Sequence, residues 1–392
     1  MKIVWVLPRL RCAGGVRIVV EYANRLKALG HEVVVACLEP SPNGAACFPV
    51  ETALVEGDRI DEATRSADAV IATDYTTVQA VLQCQTGGRR YHFIQNRESL
   101  FAKHVWRARR VERHYALPLI PITIAHWLQA VLRLSGKESF VIHNGLDTEQ
   151  FRQVPGLRPD CYRVLAEGHG SSSPWKRFEE GVQSARLAGA DEVWALTLCE
   201  ADVQVDRFLS NVSTEEVVRA YSSCHAVVKL SDFEGYPAPQ AEAMACGCSV
   251  VTAKAPGTME YCQDGVNSIV VLPWDVQAAA DALRRLRDPA VRETLVEGGK
   301  RTISKMFQWP DKVAAMELAL SGKVAAEDME CPFHTIEQQN EFIAASGPFT
   351  LPYWQMMNAL GSSAPYGRGK LADRLARPLI ALADRNSVLG RA

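Results

Sequence analysis

A chain of 392 residues, 47% hydrophobic and 22% charged, is long enough to bury two cores and reads most simply as a two-domain soluble protein. Its formal net charge of −2 leaves no basic surplus to hold nucleic acid through its phosphates, so no nucleic-acid partner is expected. The eleven cysteines are odd in number and scattered, and the closest pair, Cys246 and Cys248, lacks a zinc-type C-x2-C spacing; they read as buried thiols of a reducing cytosol, with no metal site.

Met1-Lys-Ile-Val-Trp-Val-Leu-Pro8 goes straight into a strand, without the charged region, apolar core and small-residue cleavage site of a secretory leader. Nothing later approaches the roughly 18 consecutive apolar residues of a membrane span, and a cytoplasmic location is expected. After a loop over 9–15, a helix is predicted over 16–29, where Ile18, Val19, Tyr22, Ala23 and Leu26 recur at helical spacing; Gly30 ends it and 32–38 is strand two. Gly14-Gly15 at the helix start leaves backbone N–H groups open to an anion, although such a pair is more often just a tight turn. Further strands are predicted at 67–72, with a polar turn over 73–77, and at 91–95, followed by Asn96-Arg97-Glu98.

Asn144-Gly145 is a turn signal, since both residues tolerate positive φ, and a domain boundary is placed there. This divides the chain into a first domain at 1–150, a second at 151–321 and an extension at 322–392. The second domain opens with a strand over 163–166, a Gly/Ser-rich loop ending in Lys176-Arg177, and a helix over 178–188, a plausible phosphate cradle with Lys176 as a point charge. No Walker-type G-x4-G-K-[ST] spacing is present, which argues against an ATPase. A strand follows at 192–198, and Ser213-Thr-Glu-Glu216 opens a helix as a capping box.

The next stretch organises the chain: a buried strand at 226–228, a loop with Glu234 and Gly235, a helix from about 239 to 246, and a strand from Ser249. In open parallel sheets ligands bind outside the carboxyl ends of the strands, so Glu234 and Glu242 would flank one cleft. A carboxylate accepts two hydrogen bonds at once, which suits the hydroxyls of a polyol. The alternative, with Glu242 on a solvated helix face and Glu234 capping the loop, is not separated from this by spacing alone.

Glu234-Gly-Tyr-Pro-Ala-Pro-Gln-Ala-Glu242-Ala-Met-Ala-Cys-Gly-Cys-Ser-Val-Val resembles the E-x7-E signature of retaining glycosyltransferases of family 4, in one long ungapped match. The resemblance implies an α/β protein of the GT-B fold, two doubly wound Rossmann-like domains facing each other across a cleft, with the nucleotide sugar in the second and the acceptor on the first. It implies that Glu234 lies against the donor sugar, with Gly235 and Tyr236 beside it, and that Glu242 holds the ribose. Lys176 matches a family lysine that follows an arginine. His169 stands at that arginine's position, so the charged clamp is incomplete, and Arg177 either supplies the missing charge or is a solvated first-turn residue. Gly14 and Gly15 match the glycine loop that approaches the donor diphosphate and sugar. The N-terminal half resembles, more loosely, bacterial rhamnosyltransferase-like members. Many family members end the strand at 91–95 in a His-Asp pair whose histidine contacts the sugar; Gln95-Asn96 stands there instead, and His92 upstream reads as facing the sheet interior. The stretch 208–212 resembles the loop that meets the nucleotide base, and the resemblance ends around 309–320.

The extension has no counterpart in the family. Its stripe Leu371, Leu375, Leu379 and Leu382, broken by Pro378, packs on a domain surface more often than it touches a membrane; a peripheral membrane contact there stays open. The resemblance implies a metal-independent, cofactor-free hexose transfer, with retention, from a nucleotide-diphosphate sugar to a glycan, lipid-linked or small-molecule acceptor, in glycan or glycoconjugate synthesis. A non-catalytic sugar-nucleotide or glycan-binding protein is the alternative. A Rossmann oxidoreductase would need G-x-G-x-x-G after strand one, and 11–17 does not supply it.

Overall fold

The structure is a computed structural model that describes residues 1–326 apart from 43–45, 47, 103, 134–135, 170–172 and 199–200. The leucine stripe and nearly all of the expected extension lie outside the described residues. The described residues divide into two compact units, one of 1–144 with 309–326 and one of 145–308.

In the first unit the runs β1 (Lys2–Leu7), β2 (Glu32–Cys37), β3 (Ala53–Glu56), β4 (Ala69–Ala72), β5 (Arg89–Ile94), β6 (Ile120–Thr123) and β7 (Phe140–Val141) form one sheet in the order β3-β2-β1-β4-β5-β6-β7. Every pair is parallel. The central strands are apolar along their length because helices cover both faces, which removes the alternation an antiparallel sheet would show. The strand order reverses between β1 and β4, which makes their carboxyl ends a switch point. Helix Gly14–Ala28 buries Val16, Val19, Val20, Tyr22, Ala23 and Leu26. Tyr22 meets Phe93 and Trp309 edge-on at 5.8 and 5.1 Å, and its hydroxyl donates to the His143 carbonyl at 2.8 Å.

Several expectations are corrected here. The first helix starts at Gly14, two residues before the predicted start at Val16. The edge strand β3 was not foreseen, since its apolar run, Ala53-Leu54-Val55, is only three residues long and is partly exposed. Helix Trp309–Ser321, assigned from the sequence to the second domain, packs with the first unit, where the Tyr91 hydroxyl donates to the Ala319 carbonyl at 3.0 Å. Neither Asn144 nor Gly145 adopts positive φ. The chain there is held by backbone bonds from Ile142 to Thr123 at 2.8 Å and from Leu146 to Phe307 at 2.9 Å, so no tight turn forms. Seven described cysteines are free, six of them buried, whereas Cys12 is disulfide-bonded and departs from the reading of reduced thiols throughout.

In the second unit β8 (Arg163–Gly168), β9 (Glu192–Thr197), β10 (Arg207–Ser210), β11 (Ala226–Lys229), β12 (Ser249–Ala253) and β13 (Ile269–Val271) form a second all-parallel sheet, in the order β10-β9-β8-β11-β12-β13. Its core joins Val164, Ala166, Phe178, Val182, Val228, Val251 and Leu283. Gly168 ends β8 where a Cβ would come within 2.9 Å of the Phe178 Cβ, so only glycine lets helix Phe178–Leu187 pack this close. The strand order reverses between β8 and β11. Residues 208–212, read as a loop, are instead the end of edge strand β10 and a left-handed residue, Asn211. Among the described residues no helix is long and apolar enough to cross a membrane.

Candidate functional site

The carboxyl ends of β8 and β11, at the switch point of the second sheet, carry a compact group of charges. Val228 of β11 pairs in register with Ala166 of β8, and one residue further on come Lys229 and Glu167. Lys229 is only 2% exposed, and its ammonium contacts Glu167 Oε2 and reaches Glu234 Oε1 at 3.2 Å. From the other side Lys176 Nζ donates to both oxygens of Glu234, at 2.7 and 2.8 Å. Four groups thus alternate in sign: Glu167, Lys229, Glu234, Lys176.

The loops that bring Lys176 and Glu234 together are tied to each other. Lys176 ends the 3-10 turn Pro174–Lys176, and the backbone N–H of Asp232 donates to the Trp175 carbonyl at 2.8 Å, while the Trp175 and Phe233 rings stack at 6.0 Å. Arg177 follows with φ 46 and ψ 44, a left-handed conformation that an L side chain adopts at a cost. Its guanidinium contacts the fully buried Asp232 carboxylate through Nε and reaches Glu180 at 3.1 Å. On the far side of the Glu234 loop, a Cβ on Gly257 would lie 2.4 Å from the Glu234 carbonyl oxygen and 2.3 Å from that of Gly235. Tyr236 is buried against Tyr261 and Phe307, at 5.2 and 5.4 Å.

Burial alone would raise the pKa of Glu234, but Lys176 and Lys229 outweigh it and hold the carboxyl down at about 2. Burial likewise opposes the charge on Lys229, and Glu167 and Glu234 reverse this, keeping it above the usual lysine range. His169, next to this group, is shifted the other way. Burial first, then the Lys176 charge, push its imidazole below its ordinary value, so it is neutral at neutral pH and offers a hydrogen bond where a fixed positive charge was expected.

Glu242 lies on helix Ala238–Ala245, 8% exposed, and is therefore not on a solvated face. Gln240 anchors this helix by donating to Thr252 Oγ1 at 3.0 Å, and that hydroxyl donates to the Lys229 carbonyl at 3.2 Å. Tyr221 is buried and feels two of these acids: burial, then Glu242 and Glu167, raise its hydroxyl well above the ordinary value.

In the first unit, helix Gly14–Ala28 begins without a side-chain cap or an acidic first turn, which leaves its N-terminal N–H groups suited to an anion. Gln95, at the end of β5, donates from Nε2 to the Gly15 carbonyl at 3.1 Å, so Gln95 and the glycine pair share one corner of the sheet. Asn96 turns inward to its own chain, accepting from the Arg97 N–H at 2.8 Å. His92 is buried and stacked on Tyr115 at 5.8 Å, in the interior as expected.

The sequence reading thus singled out Lys176 and Glu234, which the structure joins, but missed Lys229, Glu167 and Asp232. Lys229 and Glu167 each follow a short apolar run, and only the pairing of two strands distant in sequence brings them together.

Comparison with known proteins follows the same geography. Residues 200–302 match the family Glycosyl transferases group 1. Over 254 residues the chain is 32% identical to the MMP alpha-(1->4)-mannosyltransferase of Mycolicibacterium hassiacum, covering 58% of this chain and 62% of that one. Over 159 residues it is 30% identical to the D-inositol 3-phosphate glycosyltransferase of Saccharomonospora viridis, covering 40% and 34%. The chain therefore spans less than two thirds of these relatives' length. Among solved structures, it superposes on Anabaena HepE in complex with UDP and glucose with a TM-score of 0.67, at 16% identity over 82% of this chain and all of that one. It superposes on sucrose-phosphate synthase from Thermosynechococcus elongatus with a TM-score of 0.65, at 17% identity over 81% and 98%. The fold is that of GT-B glycosyltransferases, two parallel-sheet Rossmann-like domains, and the segment 200–302 that matches Glycosyl transferases group 1 carries both Glu234 and Glu242.

Proposed function

We propose that the protein is a retaining glycosyltransferase that moves a hexose from a nucleotide-diphosphate sugar to an acceptor hydroxyl, in glycan or glycoconjugate synthesis. The observation that carries this reading is the Lys176–Glu234 pair at the switch point of the second sheet, its buried Glu234 lying in the segment similar to glycosyl transferases group 1. Lys176 is the only one of the two lysines with appreciable exposure, 21% against 2%, so it is the one that can turn to a diphosphate and neutralise the charge that grows as the glycosidic bond breaks. Glu242 accepts from the ribose hydroxyls. The reading is metal-independent, because Lys176 supplies the positive charge at the leaving group.

Glu234 orients the donor sugar and stabilises positive charge developing on its ring. With its carboxyl held at about 2 by two ammonium groups, it is a weak base and a weak nucleophile, which leaves the departing diphosphate to take the acceptor hydroxyl's proton. D-inositol 3-phosphate, named for one relative, joins glycans and lipid-linked sugars as the first acceptor to try. The test is transfer from uridine and guanosine diphosphate sugars, with chelator present, read by NMR of the product anomer. Retention supports the assignment; inversion, or a glycosyl ester trapped on Glu234, overturns it. The neutral His169 and the Arg177–Asp232 pairing favour one second reading, a sugar-nucleotide-binding protein without turnover. Slow donor hydrolysis without acceptor separates the two, since a mere binder shows none.

A further inference from the structure

We propose that Lys229 is the standing counter-ion of Glu234, a positioning residue that keeps this carboxylate ionised and aimed at the donor sugar once Lys176 has left it for the diphosphate. The proposal rests on the donor-site reading above. It starts from the contrast between the two lysines. Lys176 sits on a 3-10 turn and is partly exposed, whereas Lys229 is the last residue of a central parallel strand and is buried. Its ammonium is held between Glu167 and Glu234. Lys176 therefore exchanges partners when a diphosphate arrives, and Lys229 does not.

That difference matters because Glu234 is only 6% exposed. A buried carboxylate stripped of its nearest cation protonates instead of remaining charged. Losing Lys176 to the ligand would then cost Glu234 the charge it needs at the moment the sugar ring becomes positive. Lys229 prevents this. Glu167 in turn keeps Lys229 charged against its own burial. With Lys176 on the diphosphate, the remaining trio of Glu167, Lys229 and Glu234 carries one net negative charge, directed at the ring. Other groups facing Glu234 include the Ser231 hydroxyl on its own loop, the neutral His169 after β8, and the buried Tyr261 hydroxyl; none of these supplies a fixed positive charge.

The test uses the full chain with glutamate labelled at its carboxyl carbon, the Glu234 resonance being identified by its loss in Glu234→Gln. The key variant is Glu167→Gln with Lys229→Met, which removes the buried pair together and leaves no orphaned charge; Lys229→Gln alone is the second route if the double variant does not fold. In the unliganded protein the Glu234 carboxyl of the double variant should titrate about one pH unit or more above the parent. Adding UDP should raise it further in the variant and leave it low in the parent. In transfer assays the acidic limb of kcat should move up with it, giving a loss of about tenfold one pH unit below the raised value that recovers at higher pH, with donor KM nearly unchanged. A carboxyl that titrates alike in parent and variant, with and without UDP, overturns the proposal. A parent that neither binds nucleotide nor transfers sugar overturns the donor-site reading instead, and the unliganded titration still decides the role of Lys229.

Discussion

At the scale of single residues, Lys176 holds both oxygens of Glu234, so any diphosphate must compete with that pair for it. This sharpens what its loss should do. Lys176→Ala removes positive charge from the leaving group and is expected to lower turnover by about 10²–10³-fold, with a smaller change in nucleotide affinity, because the pair given up offsets part of the ligand contact. Turnover within a few-fold of the parent would move the role to Arg177 or His169. Glu242→Gln is expected to weaken nucleoside diphosphate binding by about 1–3 kcal/mol in calorimetry, through charged hydrogen bonds to the ribose; unchanged affinity would remove the assignment. Lys176, Glu234 and Glu242 could be picked out because they lie in motifs. Lys229 and Glu167 could not, since each ends an otherwise apolar run and their meaning comes only from a register between strands distant in sequence.

At the scale of elements, the Glu234 loop is defined by what presses on it. Gly257 begins no motif, yet its missing Cβ is what admits the carbonyls of Glu234 and Gly235. Gly257→Ala must displace that loop, and is expected to abolish transfer while the circular dichroism of the fold persists; full activity would mean that the loop position is not critical. The parallel strands and the helices between them were readable from short β-branched runs and helical spacing, and the Ser213 capping box is present with both of its reciprocal bonds. Misread elements share a cause. Strands β3 and β10 lie at sheet edges, where the apolar runs shrink to Ala53-Leu54-Val55 and Phe208-Leu209, and helix Trp309–Ser321 finds its packing partner, Tyr91, far away in sequence.

For the whole molecule, two buried histidines tie stability to pH. Burial, aided by the charges of His114 and Lys137, pushes His92 in the first unit from 6.5 to about 3. His225 in the second accepts at Nδ1 from the Arg163 N–H at 3.2 Å, and burial, with Arg292, Arg158 and Arg163, takes it to about 4. Both folded values lie below the unfolded one, so the unfolded chain binds more protons in acid. Their contribution is therefore complete above pH 6.5 and is lost as pH falls towards 3–4. The urea midpoint should drop between pH 7 and about 4.5, and His92→Phe should flatten part of that drop; a midpoint constant over this range would contradict the assignment. The charges around Glu234 have a kinetic counterpart. Glu167, Lys229, Glu234 and Lys176 cancel, as do Arg177 and Asp232, so these six groups cast almost no field into solution before a ligand arrives. A diphosphate then finds this corner by diffusion and is not drawn in from afar. Its association rate should vary little when salt is raised from about 50 to 300 mM, in contrast to a site lined by free cations, where screening slows capture steeply.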